Sequence, residues 1–155
     1  MKIAILNESF LKREHLKRLR KLGALTIYQN TNSEEQAIKR LRGVDIAIVD
    51  CSIAPLNRRV LTNVDRLKLL VLSSTGYDSV DLKAASKRKI KIANAPGFST
   101  DAVAEMVIAL MFAVIRKIPL GDKLVRKKPF QIDWSDERHV KLFGTDIRGK
   151  TLGIV

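Results

Sequence analysis

Residues 69–95 read LLVLSSTGYDSVDLKAASKRKIKIANA, and this stretch decides the fold. Four apolar residues, 69–72, stop at a run of small and turn-forming residues around Gly76. A segment with helical character follows from Leu82 to Arg88, and then a second apolar run, residues 90–93. Strand, loop, helix and strand within so short a span form the repeating unit of a parallel sheet, because parallel neighbours need a crossover.

Working outward, the unit recurs upstream. Residues 2–6 (KIAIL), 24–28 (ALTIY) and 45–49 (DIAIV) read as strands. Between them lie helical segments at 11–21, 33–42 and 55–61, with Ser33 as an N-cap and Pro55 early in its helix. Continuous apolar runs suit strands covered on both faces. The expectation is an α/β fold: a flavodoxin-like parallel sheet of five strands, helices on both faces, ligands at the carboxyl ends of the strands.

Downstream the character changes. Residues 102–115 (AVAEMVIALMFAVI) carry one charge, Glu105, in fourteen positions. A helix apolar all round needs cover on every side, and this one is too short to span a bilayer. It is expected to pack on a second domain or a second copy of the chain, which makes a homo-oligomer or a missing second domain the expected partner. Residues 116–148, punctuated by Pro119, Gly121, Pro129 and Gly144, read as a loop-rich connection, and 151–155 (TLGIV) as a buried strand opening a further domain. The resulting division is 1–95, a substrate-side domain; 96–119, hinge and long apolar helix; 120–149, connection; and 150–155, the first strand of a Rossmann domain otherwise absent.

Composition sets outer limits. Twenty-nine basic against 16 acidic residues give a net charge of +13, much of it on residues 11–21 (LKREHLKRLRK). Leu11, Leu16, Leu19 and Leu22 keep near-helical spacing there, so the segment reads as an amphipathic helix with a solvated basic face. Nucleic acid is not expected, because basic charge lacks a docking motif here. One cysteine, Cys51, and no signal-like or membrane-spanning run point to a soluble, cytoplasmic protein. His15 and His139 have no ligand-spaced partners, so no metal site is expected. Residues 144–151 (GTDIRGKT) satisfy a phosphate-loop pattern. The polar lead-in and the strand-like sequel are the wrong context for helix amides to meet a phosphate.

The informative site is SSTGYDSVD, residues 73–81: small residues and Gly76 let the backbone approach an anion closely, and Asp81 caps the next helix. Taken with IANAPGFSTDAVAE downstream, it resembles the D-isomer-specific 2-hydroxyacid dehydrogenases, with their T-G-x-D-x-V-D loop, N-x-P strand end and S-T-x-x-V-A-E helix. The NAPGFST wording is most similar to the glycerate dehydrogenase (hydroxypyruvate reductase) branch. RGKTLGIV at the end resembles the strand that leads into that family's G-x-G-x-x-G turn, a pattern these residues do not contain.

The resemblance implies a small 2-oxo or 2-hydroxy acid as substrate and NAD or NADP as cofactor, the latter not bound tightly by this chain. It implies substrate contacts at Ser74, Thr75, Gly76 and Ser99, with Thr75 and Thr100 also meeting the cofactor. Asn94, Asp78 and Glu105 are implied to hold loops in place. The family's catalytic Arg, Glu and His correspond to no residue here, so no catalytic residue is assigned and little activity is expected of the chain alone. The alternative is a non-catalytic interaction protein using its basic surface or its apolar helix.

Overall fold

The computed structural model describes residues 1–7, 11–50, 54–126 and 131–154. The chain divides into two compact units, Met1–Phe98 and Ser99–Val155.

The first unit is a five-stranded, all-parallel sheet in the order β2-β1-β3-β4-β5. The strands are β1 Lys2–Leu6, β2 Ala24–Tyr28, β3 Ile46–Val49, β4 Leu69–Leu72 and β5 Lys91–Ala93. The helices α1 Arg13–Leu22, α2 Glu34–Leu41, α3 Arg58–Thr62 and α4 Leu82–Lys87 make the crossovers. This is the expected flavodoxin-like arrangement, and the strands lie within a residue of where their apolar runs put them.

Alternation along the strands sorts the two faces. Ala4, Leu6, Ala47, Val49, Leu70 and Leu72 lie side by side in register and are buried with Ala37 and Leu41 of α2, Val60 and Leu61 of α3, and Ala84 and Ala85 of α4. That cluster is the core. On the other face Ile3 and Ile5 are buried, whereas Ile46, Ile48, Leu69 and Val71 are only half-buried, and Lys91 and Ala93 are exposed. Cover on both faces, expected for every strand, is complete on this side only over β1.

Local chemistry sets the helix starts. The Ser33 hydroxyl accepts the Gln36 N–H at 3.3 Å and the Asp81 carboxylate accepts the Ala84 N–H at 2.8 Å, as the sequence predicts. The third helix differs: it starts at Arg58, not Pro55, because Asn57 accepts the Val60 N–H at 3.2 Å and so caps it there. Cys51 lies outside the described residues.

The second unit is helical. The apolar segment forms α5, Thr100–Ile115, and no residue of it is buried. The stretch read as a loop-rich connection contains α6, Ile118–Val125, and a short α7, Glu137–Val140, continued by a 3-10 turn at Lys141–Phe143. Pro119 and Gly121 mislead as breakers: proline is tolerated in the first helical turn, and Leu120 and Leu124 fall one turn apart on one side. The His139 ring is buried and accepts the Asp133 N–H at 2.8 Å, fixing the turn before α7. Gly144, at φ 62°, lets the chain pass the end of α5: a Cβ there would stand 2.3 Å from the Ile115 carbonyl oxygen.

Residues 151–154, read as the opening of a buried strand, pair with no strand among the described residues, and Leu152 and Ile154 are 53% and 84% exposed. A strand is defined by a neighbour's hydrogen bonds, which these residues lack. No helix among the described residues is long and apolar enough to cross a membrane.

Candidate functional site

The 73–81 loop leaves the carboxyl end of β4, the edge of a parallel sheet where side-chain and backbone groups from successive loops converge. The ladder itself launches it: Ser73 donates its N–H to the Val49 carbonyl at 3.0 Å. At the far end Val80 is buried and forms a single parallel bridge with Leu56, and the Asp81 N–H reaches the Leu56 carbonyl at 3.2 Å. Both ends are therefore fastened to the core.

Between them the chain is pinned from β5. Asn94 Nδ2 donates to the Thr75 carbonyl at 2.8 Å, the Thr75 hydroxyl donates to the Ala95 carbonyl at 3.1 Å, and the Ala95 N–H donates to the Ser74 carbonyl at 3.0 Å. The Ser74 hydroxyl closes a tight turn onto the Gly76 carbonyl at 2.8 Å. Three crossings and one internal bond hold five residues, 74–76 and 94–95, in one shape. Asn94 holds the loop, as the resemblance implies.

Thr75 and Gly76 are exposed at the crest and Ser74 is half-buried beneath them. Among the described residues a Cβ at Gly76 would meet only Asp78 Oδ2, at 3.5 Å, an ordinary contact, and the residue has no positive φ. Packing among the described residues makes no demand for glycine there.

Of the other predicted residues, Ser99 is the N-cap of α5, half-buried, with no capping bond from its side chain. Thr100 is the first residue of that helix and is exposed. Both belong to the second unit, whereas Ser74, Thr75 and Gly76 belong to the first.

The turn after β4 differs in geometry from a dinucleotide cradle. A pyrophosphate needs a glycine-rich turn running directly into a helix whose first amides are open to it. At the glycine-bearing turn of this sheet, the helix that follows has only six residues, and its entrance is occupied by the Asp81 carboxylate bonded to the Ala84 N–H. A second anion would meet that charge. Among the described residues no group of His, Cys, Asp and Glu is arranged to hold a metal ion.

The sequence reading missed one feature of the surface. Arg66, Lys68, Lys89 and Lys91 gather around Asp45 at the amino-terminal edge of β3, β4 and β5. They come from separate segments, so only the register Ile46↔Leu69↔Lys91 brings them together.

Known proteins resemble the chain over most of its length. Residues 3–149 match the family model described as D-isomer specific 2-hydroxyacid dehydrogenase, catalytic domain. The chain is 37% identical over 122 residues to a glyoxylate reductase of Thermococcus litoralis, covering 76% of this chain and 35% of that protein. It is 33% identical over 131 residues to a glycerate dehydrogenase of Methylorubrum extorquens, covering 83% and 40%. Among solved structures, an acyclic imino acid reductase in complex with NADPH and D-Arg superposes with a TM-score of 0.76 at 32% identity, over 86% of this chain and 45% of that one. The chain thus spans less than half the length of each of these proteins.

Proposed function

The chain belongs to the D-isomer specific 2-hydroxyacid dehydrogenase family, and from that membership we propose that it carries the substrate-loop half of a site for a small 2-oxo or 2-hydroxy acid of the glyoxylate, hydroxypyruvate and glycerate class. The observation that carries this reading is the pinned 74–76 turn, its crest exposed at the carboxyl end of β4. In this assignment the exposed backbone at Thr75 and Gly76, with Ser74 beneath, receives the carboxylate of the acid. Thr75 also meets the nicotinamide end of NAD or NADP on this reading. On this reading the 155 residues do not bind the dinucleotide tightly.

Hydride transfer to a 2-oxo acid requires a proton donor for the developing alkoxide and a cation against the carboxylate, held with the cofactor in one geometry. The loop supplies none of the three. These 155 residues alone should therefore oxidise NADH no faster than a protein-free blank with hydroxypyruvate or glyoxylate. Turnover above that blank would overturn this part of the reading. A single thiol and the family's chemistry favour the cytoplasm as the place of work.

A second reading rests on α5. Val103, Met106, Leu110 and Val114 are 56%, 58%, 57% and 66% exposed and recur at three- and four-residue spacing, so they form one apolar face. We assign this face to self-association. Light scattering at micromolar concentration should report a dimer or larger species that the double substitution Met106→Glu, Leu110→Glu converts to monomer. A clean monomer before substitution would contradict it.

A further inference from the structure

Helix α1 carries a block of charge that the fold does not use. With its N-cap it reads KREHLKRLRKL, residues 12–22, six basic side chains and one acidic. At 3.6 residues per turn, Arg13, Lys17, Arg20 and Lys21 fall within an arc of about 100°. All four are exposed. His15, Leu19 and Leu22, on the opposite side of the helix, lie beside Ile48 and Val71 of the sheet, so the four cations form a ridge turned away from it.

Nothing within the described chain neutralises this ridge. Among the described residues no ion pair reaches any of its four members. Glu14, the one acid of the helix, meets the neighbouring His15, at 3.8 Å. The arrangement works against the helix itself. Arg13 stands at the positive end of the backbone dipole, and Arg13–Lys17, Lys17–Arg20 and Lys17–Lys21 are like-charge pairs about one turn apart.

The second unit has no surplus of acid to set against the ridge. Residues 99–155 hold ten basic and seven acidic side chains, and Asp122, Asp136, Glu137 and Asp146 already pair within that unit. A second copy of the chain brings a further +13. The matching charge is therefore an external polyanion.

Two features of the ridge select among polyanions. Its arc contains no apolar or aromatic side chain, whereas a helix held on a lipid surface needs such residues on the face it presents. From Arg13 to Lys21 it is about 12 Å long, with a cation about every 4 Å. One strand of a nucleic-acid duplex presents a phosphate about every 3.4 Å along its axis. We propose that α1 binds the phosphodiester backbone of nucleic acid through Arg13, Lys17, Arg20 and Lys21, with Lys12 and Arg18 on the flanks. Four cations without a docking motif contact phosphates and carry no base code, so this binding is independent of sequence. It is also independent of what the 74–76 turn binds.

The test is fluorescence anisotropy of a labelled duplex of about 20 base pairs titrated with the whole chain, repeated with a duplex of unrelated sequence. Four phosphate contacts give a slope of about −3.6 in log K against log salt, roughly a hundredfold loss between about 50 and about 200 mM, with equal affinity for both duplexes. Substituting Arg13→Gln, Lys17→Gln, Arg20→Gln and Lys21→Gln together keeps helix propensity and should weaken binding at least about tenfold. Removing four exposed charges elsewhere, with Lys68→Gln, Lys83→Gln, Lys87→Gln and Lys91→Gln, should change it by less than about threefold. Circular dichroism checks the fold of both variants, and amide NMR of the unaltered chain should place the duplex-induced shifts on residues 12–22. Equal weakening by the two variants would make net charge the cause and overturn the proposal. So would shifts centred elsewhere, or binding to phosphatidylserine vesicles with none to either duplex.

Discussion

Asn94 is one residue past the end of β5, and its amide does what a turn of this exposure cannot do for itself. By donating to the Thr75 carbonyl it ties the crest of the 73–81 loop to the neighbouring strand end, beside the two backbone-and-hydroxyl crossings at Ala95. Asn94→Ala removes one crossing of three. A partly solvated hydrogen bond of this kind contributes about 1 kcal/mol, so the variant should unfold at a slightly lower urea concentration. Exchange of the Ala95 amide, which donates to Ser74 across the same seam, should quicken by about fivefold. Unchanged exchange would mean the loop is held without Asn94. At this scale the sequence was legible where a side chain acts on its own neighbourhood: Ser33 and Asp81 cap the helices they precede. It was illegible at Asn57, whose side-chain Oδ1 accepts the third amide of the helix and so starts it past the more conspicuous Pro55.

At the scale of the element, β4 shows how one strand serves two environments. Leu70 and Leu72 are buried against α2, α3 and α4, whereas Leu69 and Val71, one residue out of phase, are half-buried on the other face. Leu70→Ala should cost about 2–5 kcal/mol, the range for truncating a closed core position. Val71→Ala removes less carbon from a site that already meets solvent and should cost about 1 kcal/mol. Chemical denaturation of the two variants separates these values, and equal losses would mean the second face is as closed as the first. An apolar run such as LLVL reveals a strand but not whether both faces are covered, because cover comes from elements elsewhere. The same logic explains α6. Pro119 and Gly121 mark a break by local propensity, yet Leu120 and Leu124, one turn apart, share a face of a helix that runs across both.

For the whole molecule, the charge and the site separate along the sheet. The 74–76 turn sits at the carboxyl edge of β4, while Arg66, Lys68, Lys89 and Lys91 sit at the amino edge of the same strands. Composition gave the sum, +13, but not this distribution, because the rim is assembled by strand register from segments that each look unremarkable in the chain. The family and the fold were legible because their wording, TGYDSVD and NAPGFST, falls on contiguous loops. The central claim is that the loop keeps a working shape for a small 2-oxo acid within these 155 residues. Amide NMR during titration with hydroxypyruvate, with sodium chloride as the ionic control, tests it most directly. Shifts confined to Ser74, Thr75, Gly76 and the pinning residues Asn94 and Ala95 are the predicted result; no shift at millimolar hydroxypyruvate, or shifts that sodium chloride reproduces, would contradict it.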